Sequence, residues 1–120
     1  MARILIADDD DIYREAFCTG LQELQHDVDG VPSGAEVLPS LTAKQYDIVF
    51  LDVMMAGGGA ITVLHQVRDH DPKIPVVIIT GRTELIGSPL FREGMRSAQA
   101  KVLKTATLSE LHRMIESLVA

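Results

Sequence analysis

The stretch "ILIADDDD", residues 4–11, sets Asp8, Asp9, Asp10 and Asp11 directly behind a short apolar run, and Asp52 closes a second run, "DIVFL" (47–51). Two like charges about 4 Å apart repel by roughly 4 kcal/mol at an effective dielectric of about 20, so Asp8, Asp9 and Asp52 gathered in one crevice need something to offset them. A divalent cation would do so. A few hard oxygen ligands at one edge of an open crevice suit Mg²⁺, which keeps several waters and often shares its shell with a phosphoryl group. Asp10 and Asp11 have a different explanation, since they fall where a first helix would begin. Acidic side chains there cap free N–H groups and face the positive end of the helix dipole.

Two further apolar runs end in polar groups: "PVVII" (75–79) is followed by Thr80, and "AKVL" (100–103) by Lys104. Alone, Thr80 reads as a β-branched strand residue and Lys104 as a solvated terminal lysine. Taken with the acids, they complete a cation site, a carboxylate nucleophile, a hydroxyl donor and an ammonium group. That set is what phosphoryl transfer to an aspartate requires.

The elements that must position these groups follow from periodicity. Strand-length runs at 4–7, 47–51, 75–79 and 100–103, with a weaker one at "DVDGV" (27–31), alternate with stretches of helical period. Ile12, Ala16, Phe17, Leu21 and Leu24 make one apolar face, Ile61, Leu64 and Val67 another, and Leu108, Leu111, Ile115 and Leu118 a third. Ser33 with Glu36, and Thr107 with Glu110, match the S/T-x-x-E capping box and predict helix starts near 34 and 108. Runs apolar on both faces suit parallel strands covered by helices on each side, which makes the expected fold a five-stranded parallel α/β sheet. In the doubly wound order 2-1-3-4-5, ligands bind beyond the carboxyl ends of the strands between the first and third, the two that end in aspartate.

The chain has 120 residues, of which 47% are apolar and 23% charged, and one domain spanning 1–120 is expected. A net charge of −6 and a pI near 5.0 argue against nucleic acid as a direct partner. The apolar runs are far short of a membrane span, and the single Cys18 cannot form an internal disulfide, so a cytoplasmic protein is expected. His26, His65, His70 and His112 lack metal-ligand spacing and are read as surface or boundary residues; Met54, Met55, Leu90 and Phe91 are read as packing residues.

In the order and spacing of "ILIADD", "DIVFLDVMM", "IPVVIITGR" and "KVLK", the chain resembles the receiver domains of two-component response regulators, of flavodoxin-like fold, over essentially its full length. The resemblance implies Asp52 as the phosphoacceptor, Asp8 and Asp9 as the acidic pair holding Mg²⁺ with Asp52, and Met54 lending its backbone carbonyl. It implies that Thr80 and Lys104 each meet a phosphoryl oxygen. It also implies a sensor histidine kinase or phosphotransfer protein as donor, a downstream protein whose affinity changes, and no chemistry beyond self-phosphorylation and autodephosphorylation.

The chain also departs from that family. "MAGGGA" (55–60) stands where the family resembles M-P-G-M-D-G, and its three glycines predict a loose loop. Lys101 occupies the place of an aromatic switch residue, and Thr105 replaces the proline of a cis Lys-Pro bond, so a trans bond is expected. Gly87, Ser88 and Pro89 interrupt any helix early in 81–97 and suggest a mobile loop there. These changes motivate an alternative, a receiver-shaped interaction module with weakened or lost phosphorylation switching. A phosphatase of haloacid-dehalogenase type is disfavoured, because no aspartate stands two residues after Asp52.

Overall fold

The computed structural model describes residues 1–55 and 59–119. The glycine-run expectation for 55–60 falls chiefly on residues 56–58, outside the described residues. In chain order the elements are β1 (Arg3–Ala7), α1 (Asp11–Glu23), β2 (Asp27–Val31), a 3-10 turn (Gly34–Glu36), α2 (Val37–Ala43), β3 (Ile48–Asp52), α3 (Ala60–His70), β4 (Val76–Thr80), α4 (Thr83–Ile86), α5 (Pro89–Gly94), β5 (Ala100–Leu103) and α6 (Leu108–Val119). The five strands form one parallel sheet in the order β2-β1-β3-β4-β5.

Strand side chains alternate between faces, and the three central strands show what each face buries. Leu5, Ala7, Val49, Leu51, Val76 and Ile78 pack against Val37 and Leu41 of α2, Val63, Leu64 and Val67 of α3, and Phe91 of α5. Ile4, Ile6, Ile48, Phe50, Val77 and Ile79 pack instead against Phe17 and Leu21 of α1 and Leu111 and Ile115 of α6. Because β3 and β4 are buried along their whole length, neither could carry a polar residue except at its end. Asp52 and Thr80 are those ends.

Local signals set the helix limits. The Asp10 carboxylate accepts the N–H groups of Ile12 and Tyr13, both at 3.1 Å, and so caps α1. Asp11 does not cap; it pairs with Arg14 at 2.7 Å. At α6 the capping box is complete, with Thr107 N–H donating to the Glu110 carboxylate (2.9 Å) and Glu110 N–H to the Thr107 hydroxyl (3.1 Å). Ser33 and Glu36 meet differently: the hydroxyl donates to the carboxylate at 2.9 Å, and the segment begins as a 3-10 turn before α2.

Several expectations need correction. Ile12 (83% exposed) and Leu90 (86% exposed) are not packing residues. Ile12 lies in the first turn of α1, whose buried side is carried by Phe17, Gly20 and Leu21 further along the helix, and Leu90 sits on the solvent side of α5 while its neighbour Phe91 is buried. The segment 81–97 is not an open loop. Gly87 ends α4, and the Ser88 hydroxyl accepts the Phe91 N–H to start α5. Among the described residues no peptide bond is cis, so Lys104–Thr105 is trans as the absence of proline predicts.

His26 is not a surface residue either. Only 5% exposed, it accepts the Ala2 N–H on Nδ1 at 3.0 Å, and its Nε2 lies 2.9 Å from Nδ1 of His112, whose own Nε2 is 3.4 Å from Glu116. Since the Nδ1 that accepts an N–H must be bare, the proton of His26 resides on Nε2 and points at His112. The relay ties the start of the chain to α6. Burial lowers the His26 pKa from its ordinary 6.5, and neighbouring His112 and the N-terminal ammonium lower it further against the opposing pull of Glu116. The unfolded chain therefore takes up a proton that the folded chain resists, so this contribution to stability is full above about pH 6.5 and is lost as the pH falls below it. Other groups that titrate in this range act equally in both proteins, so between about pH 7.5 and 5.5 the urea unfolding midpoint of the wild type should fall relative to that of His26→Gln, which retains an acceptor for Ala2 but does not titrate. A constant difference between the two proteins would place the pH sensitivity elsewhere.

Candidate functional site

Parallel register brings the polar strand ends together. Ala7 of β1 lies opposite Leu51 of β3, so Asp8 and Asp52, one residue further along each strand, come side by side. Asp52 lies opposite Ile79, and Thr80 opposite Leu103, which places Thr80 and Lys104 on the same edge. By strand alternation Asp8 continues the row of Ile4 and Ile6, Asp52 that of Ile48 and Phe50, and Lys104 that of Ala100 and Val102. All three rows face α1 and α6.

Carboxylate oxygens of Asp8, Asp9 and Asp52 all lie within 4.8 Å of one another. Asp8 is fully buried and Asp52 is 5% exposed, while Asp9 faces solvent. Lys104 Nζ reaches between them, donating to Asp8 Oδ1 at 3.2 Å and lying 2.9 Å from Asp8 Oδ2 and 3.7 Å from Asp52. The Asp10 N–H also donates to Asp8 Oδ1 (2.9 Å), and Arg14 donates to the Asp8 backbone carbonyl (2.7 Å). Asp8 Oδ2 receives no hydrogen bond among the described residues; its approach to Lys104 is an ion-pair contact without hydrogen-bond alignment.

These surroundings perturb both charges. Burial, and after it the negative charge of Asp8, pushes the Asp52 carboxyl up to about 7, against the opposing pull of Lys104. For Lys104, burial works to lower the pKa, but the hydrogen bond to Asp8 and the charges of Asp52 and Asp8 outweigh it and raise the value. The donor set suits a hard cation: all the nearby ligand atoms are oxygens, three carboxylates converge, and one buried carboxylate oxygen lacks a hydrogen-bond donor. Such an ion would complete Asp8 and relieve the repulsion that raises Asp52.

The remaining expected residues are close by. Thr80 is buried, and its hydroxyl oxygen accepts the Arg82 N–H at 3.0 Å, leaving its proton free to donate. Met54 is 59% exposed and its sulfur is 3.7 Å from the Arg82 guanidinium, so its side chain is not a packing residue, whereas Met55 is buried. Lys101 is half-buried on β5.

Two neighbours of the site escaped sequence reasoning. The Tyr13 ring lies under the Lys104 ammonium, 4.9 Å from ring centroid to Nζ, and Arg14 braces the Asp8 backbone. A signal existed for neither, because a Tyr or Arg in the first turns of an amphipathic helix reads as a boundary residue.

A family model described as the response regulator receiver domain matches residues 4–116. Among curated proteins, the chain is 32% identical over 83 residues to the transcriptional regulatory protein CseB of Streptomyces coelicolor, covering 69% of this chain and 35% of that protein. It is 30% identical over 118 residues to the transcriptional regulatory protein QseB of Escherichia coli O157:H7, covering 98% of this chain and 52% of that one. The chain thus spans about a third to a half of the length of these relatives. Among solved structures, the response regulator TrrA of Thermotoga maritima, in complex with Mg(2+)-BeF, superposes with a TM-score of 0.87 at 26% identity, covering 98% of this chain and 99% of that one. The Vibrio cholerae chemotaxis protein CheY4 gives 0.88 at 21% identity with 98% of each chain covered, a likeness of fold. Matched by the family model over nearly its whole length, and folded with the parallel order 2-1-3-4-5 and helices on both faces, the chain belongs to the receiver domains of two-component response regulators.

Proposed function

We propose that this receiver accepts a phosphoryl group on Asp52 in a Mg²⁺-dependent reaction and thereby changes its affinity for a downstream protein. The observation that carries the reading is the convergence of Asp8, Asp9 and Asp52 within 4.8 Å beside Lys104, at the carboxyl edge of the sheet. The donor is the phosphohistidine of a sensor histidine kinase or phosphotransfer protein, or a small acyl phosphate. A relative captured with Mg(2+)-BeF supports the choice of metal. Asp8, Asp9, Asp52 and the backbone carbonyl of Met54 would hold Mg²⁺, which when bound neutralises charge on the carboxylates and on the transferring phosphoryl group.

This chain's own residues do the rest. A carboxylate oxygen of Asp52 attacks phosphorus in line, the P–O bond forms as the P–N bond breaks, and the electron pair leaves with the imidazole nitrogen. Lys104 meets the charge on one phosphoryl oxygen, and the Thr80 hydroxyl donates its free proton to another. Buried strands on both sides hold these groups to fixed positions, so positioning and electrostatics supply the rate. Water later attacks the phosphorus of the acyl phosphate and restores the carboxylate. The product of the cycle is a changed protein surface rather than a metabolite.

Incubation with Mg²⁺ and acetyl phosphate should add the mass of one phosphoryl group to the intact protein, and Asp52→Asn should abolish the addition. Modification that persists in Asp52→Asn would move the acceptor to another residue. In the absence of phosphate donors, Mg²⁺ at 100 times its dissociation constant should stabilise the fold by about 2.7 kcal/mol. Asp9→Asn should blunt that rise in melting temperature, because Asp9 is the solvent-facing member of the cluster and its removal does not disturb the core. An undiminished rise would put the ion elsewhere.

Lys104→Ala should keep the fold in Mg²⁺ but lower stability without it by roughly 1–3 kcal/mol, since Asp8 is left buried without its cationic partner. The Mg²⁺-induced rise should therefore be larger than in the wild type, while beryllofluoride should change amide exchange less. A variant unfolded even in Mg²⁺ would make Lys104 a structural residue first.

A further inference from the structure

Tyr13 is not among the groups that the proposed chemistry uses, yet the side chain central to that chemistry rests on it. The Lys104 ammonium lies over the Tyr13 ring at 4.9 Å from the centroid, with Asp8 and Asp52 on its other sides. A lysine at a strand end ordinarily sends its charge out to water, but only 21% of this side chain is exposed. The ring is itself held firmly. The Asp10 carboxylate fixes the Tyr13 N–H at 3.1 Å, and the ring leans on Phe17 (centroids 6.1 Å apart), which packs edge-on against fully buried Phe50 (5.0 Å). An aromatic stack thus runs from the centre of the core to the ammonium.

The Tyr13 hydroxyl oxygen is buried and has no hydrogen-bond partner among the described residues. It therefore donates a hydrogen bond to none of the acids, and the contact that Tyr13 makes with Lys104 is through the face of the ring. That face matters because of what Lys104 must do. In the unphosphorylated protein the ammonium is bound chiefly to Asp8, and once Asp52 carries a phosphoryl group it must turn toward a phosphoryl oxygen. Carboxylates alone would either keep it at Asp8 or let it escape to solvent. A neutral ring attracts the cation without taking up the N–H donors that an anion needs.

We propose that Tyr13 is a positioning residue for Lys104, its ring keeping the ammonium inside the crevice while the ammonium exchanges Asp8 for the phosphoryl group. The inference rests on the phosphoacceptor reading of Asp52. It predicts that the ring counts and the hydroxyl does not.

The test measures phosphorylation of Asp52 by acetyl phosphate in Mg²⁺ for wild type, Tyr13→Phe and Tyr13→Leu, each also in a Lys104→Ala background. Tyr13→Phe should stay within about twofold of wild type, and Tyr13→Leu should be slower by about tenfold, the loss expected for a desolvated cation–π contact. In the Lys104→Ala background Tyr13→Leu should cost nothing further. A Tyr13→Leu protein as fast as wild type, or an equal loss with and without Lys104, overturns the proposal, the second outcome showing that the ring acts through packing. Tyr13→Met replaces the leucine variant if the latter does not fold. The contact has its own readout in the proton resonances of the Lys104 ε-methylene, which the ring should shift upfield in wild type and Tyr13→Phe and not in Tyr13→Leu, with no phosphoryl donor present. A wild-type protein that takes no phosphoryl group removes the phosphoacceptor reading itself; unshifted ε-methylene resonances in the wild type overturn the ring–ammonium contact whatever the fate of Asp52.

Discussion

The crowding of carboxylates at one end of the sheet is the constraint on which the rest of this structure turns. Asp8 and Asp52 are both buried, and they lie side by side because adjacent parallel strands end there. This arrangement is electrostatically costly in itself. It is tolerated because Lys104 reaches into it from the end of β5, an N–H of the α1 entry turn donates to Asp8, and Arg14 braces the Asp8 backbone. Even so, the Asp52 carboxyl is pushed up to about 7, burial being the first cause and Asp8 the second. The site is under electrostatic tension, and a cation or a change of covalent state at Asp52 can release or redistribute it.

Such tension is useful only on a stiff support. The two cores, one on each face of the sheet, are built from strictly alternating residues of β1, β3 and β4, so a slip of one residue in any strand would send its whole apolar set to the wrong face. The same alternation aims Asp8, Asp52 and Lys104 toward α1 and α6. Register is thus over-determined by apolar packing, and the polar strand ends inherit a placement that they could not have stabilised themselves. The energy that holds the acids together comes from residues that never touch them.

Much of this was legible in the sequence because two short-range codes carry it. Strand period and polar strand ends located β1, β3, β4 and β5 to within a residue, and the expected "DVDGV" strand coincides with β2. Asp8, Asp9, Asp52, Thr80 and Lys104, which the fold gathers at one edge of the sheet, stood out because chemistry-bearing residues sat where apolar runs stop. What escaped depends on contacts between distant parts of the chain. His26 looked like a boundary residue because its partners, Ala2 and His112, lie on other elements. Tyr13 looked like an ordinary helix residue because only the fold brings Lys104 over its ring. Helical period misjudged Ile12, and apolar character alone misjudged Leu90, because each says which residues could be buried, whereas burial also needs something opposite.

How a change at Asp52 would leave the site is constrained by what replaces the family's aromatic switch. Lys101 is half-buried on β5, and its charged end has no reason to follow Thr80 into an apolar interior. Thr80 has a different link to the surface. Its hydroxyl oxygen accepts the Arg82 N–H, so a Thr80 side chain that turns toward a phosphoryl group pulls on the backbone at the entry to α4. Arg82 adds a second link, since its guanidinium lies between the Met54 sulfur, two residues beyond Asp52, and the Glu84 carboxylate in the first turn of α4. Behind α4 the chain is divided by Gly87 and restarts at Ser88, whose N–H donates to the Leu85 carbonyl, so α4 stands between the Thr80 strand end and α5, which Phe91 and Met95 anchor in the core. The departures from the family pattern therefore do not disconnect the site from the surface under the proposed reading. On that reading the connection would pass through the backbone between Thr80 and Gly87 instead of through a side-chain ring.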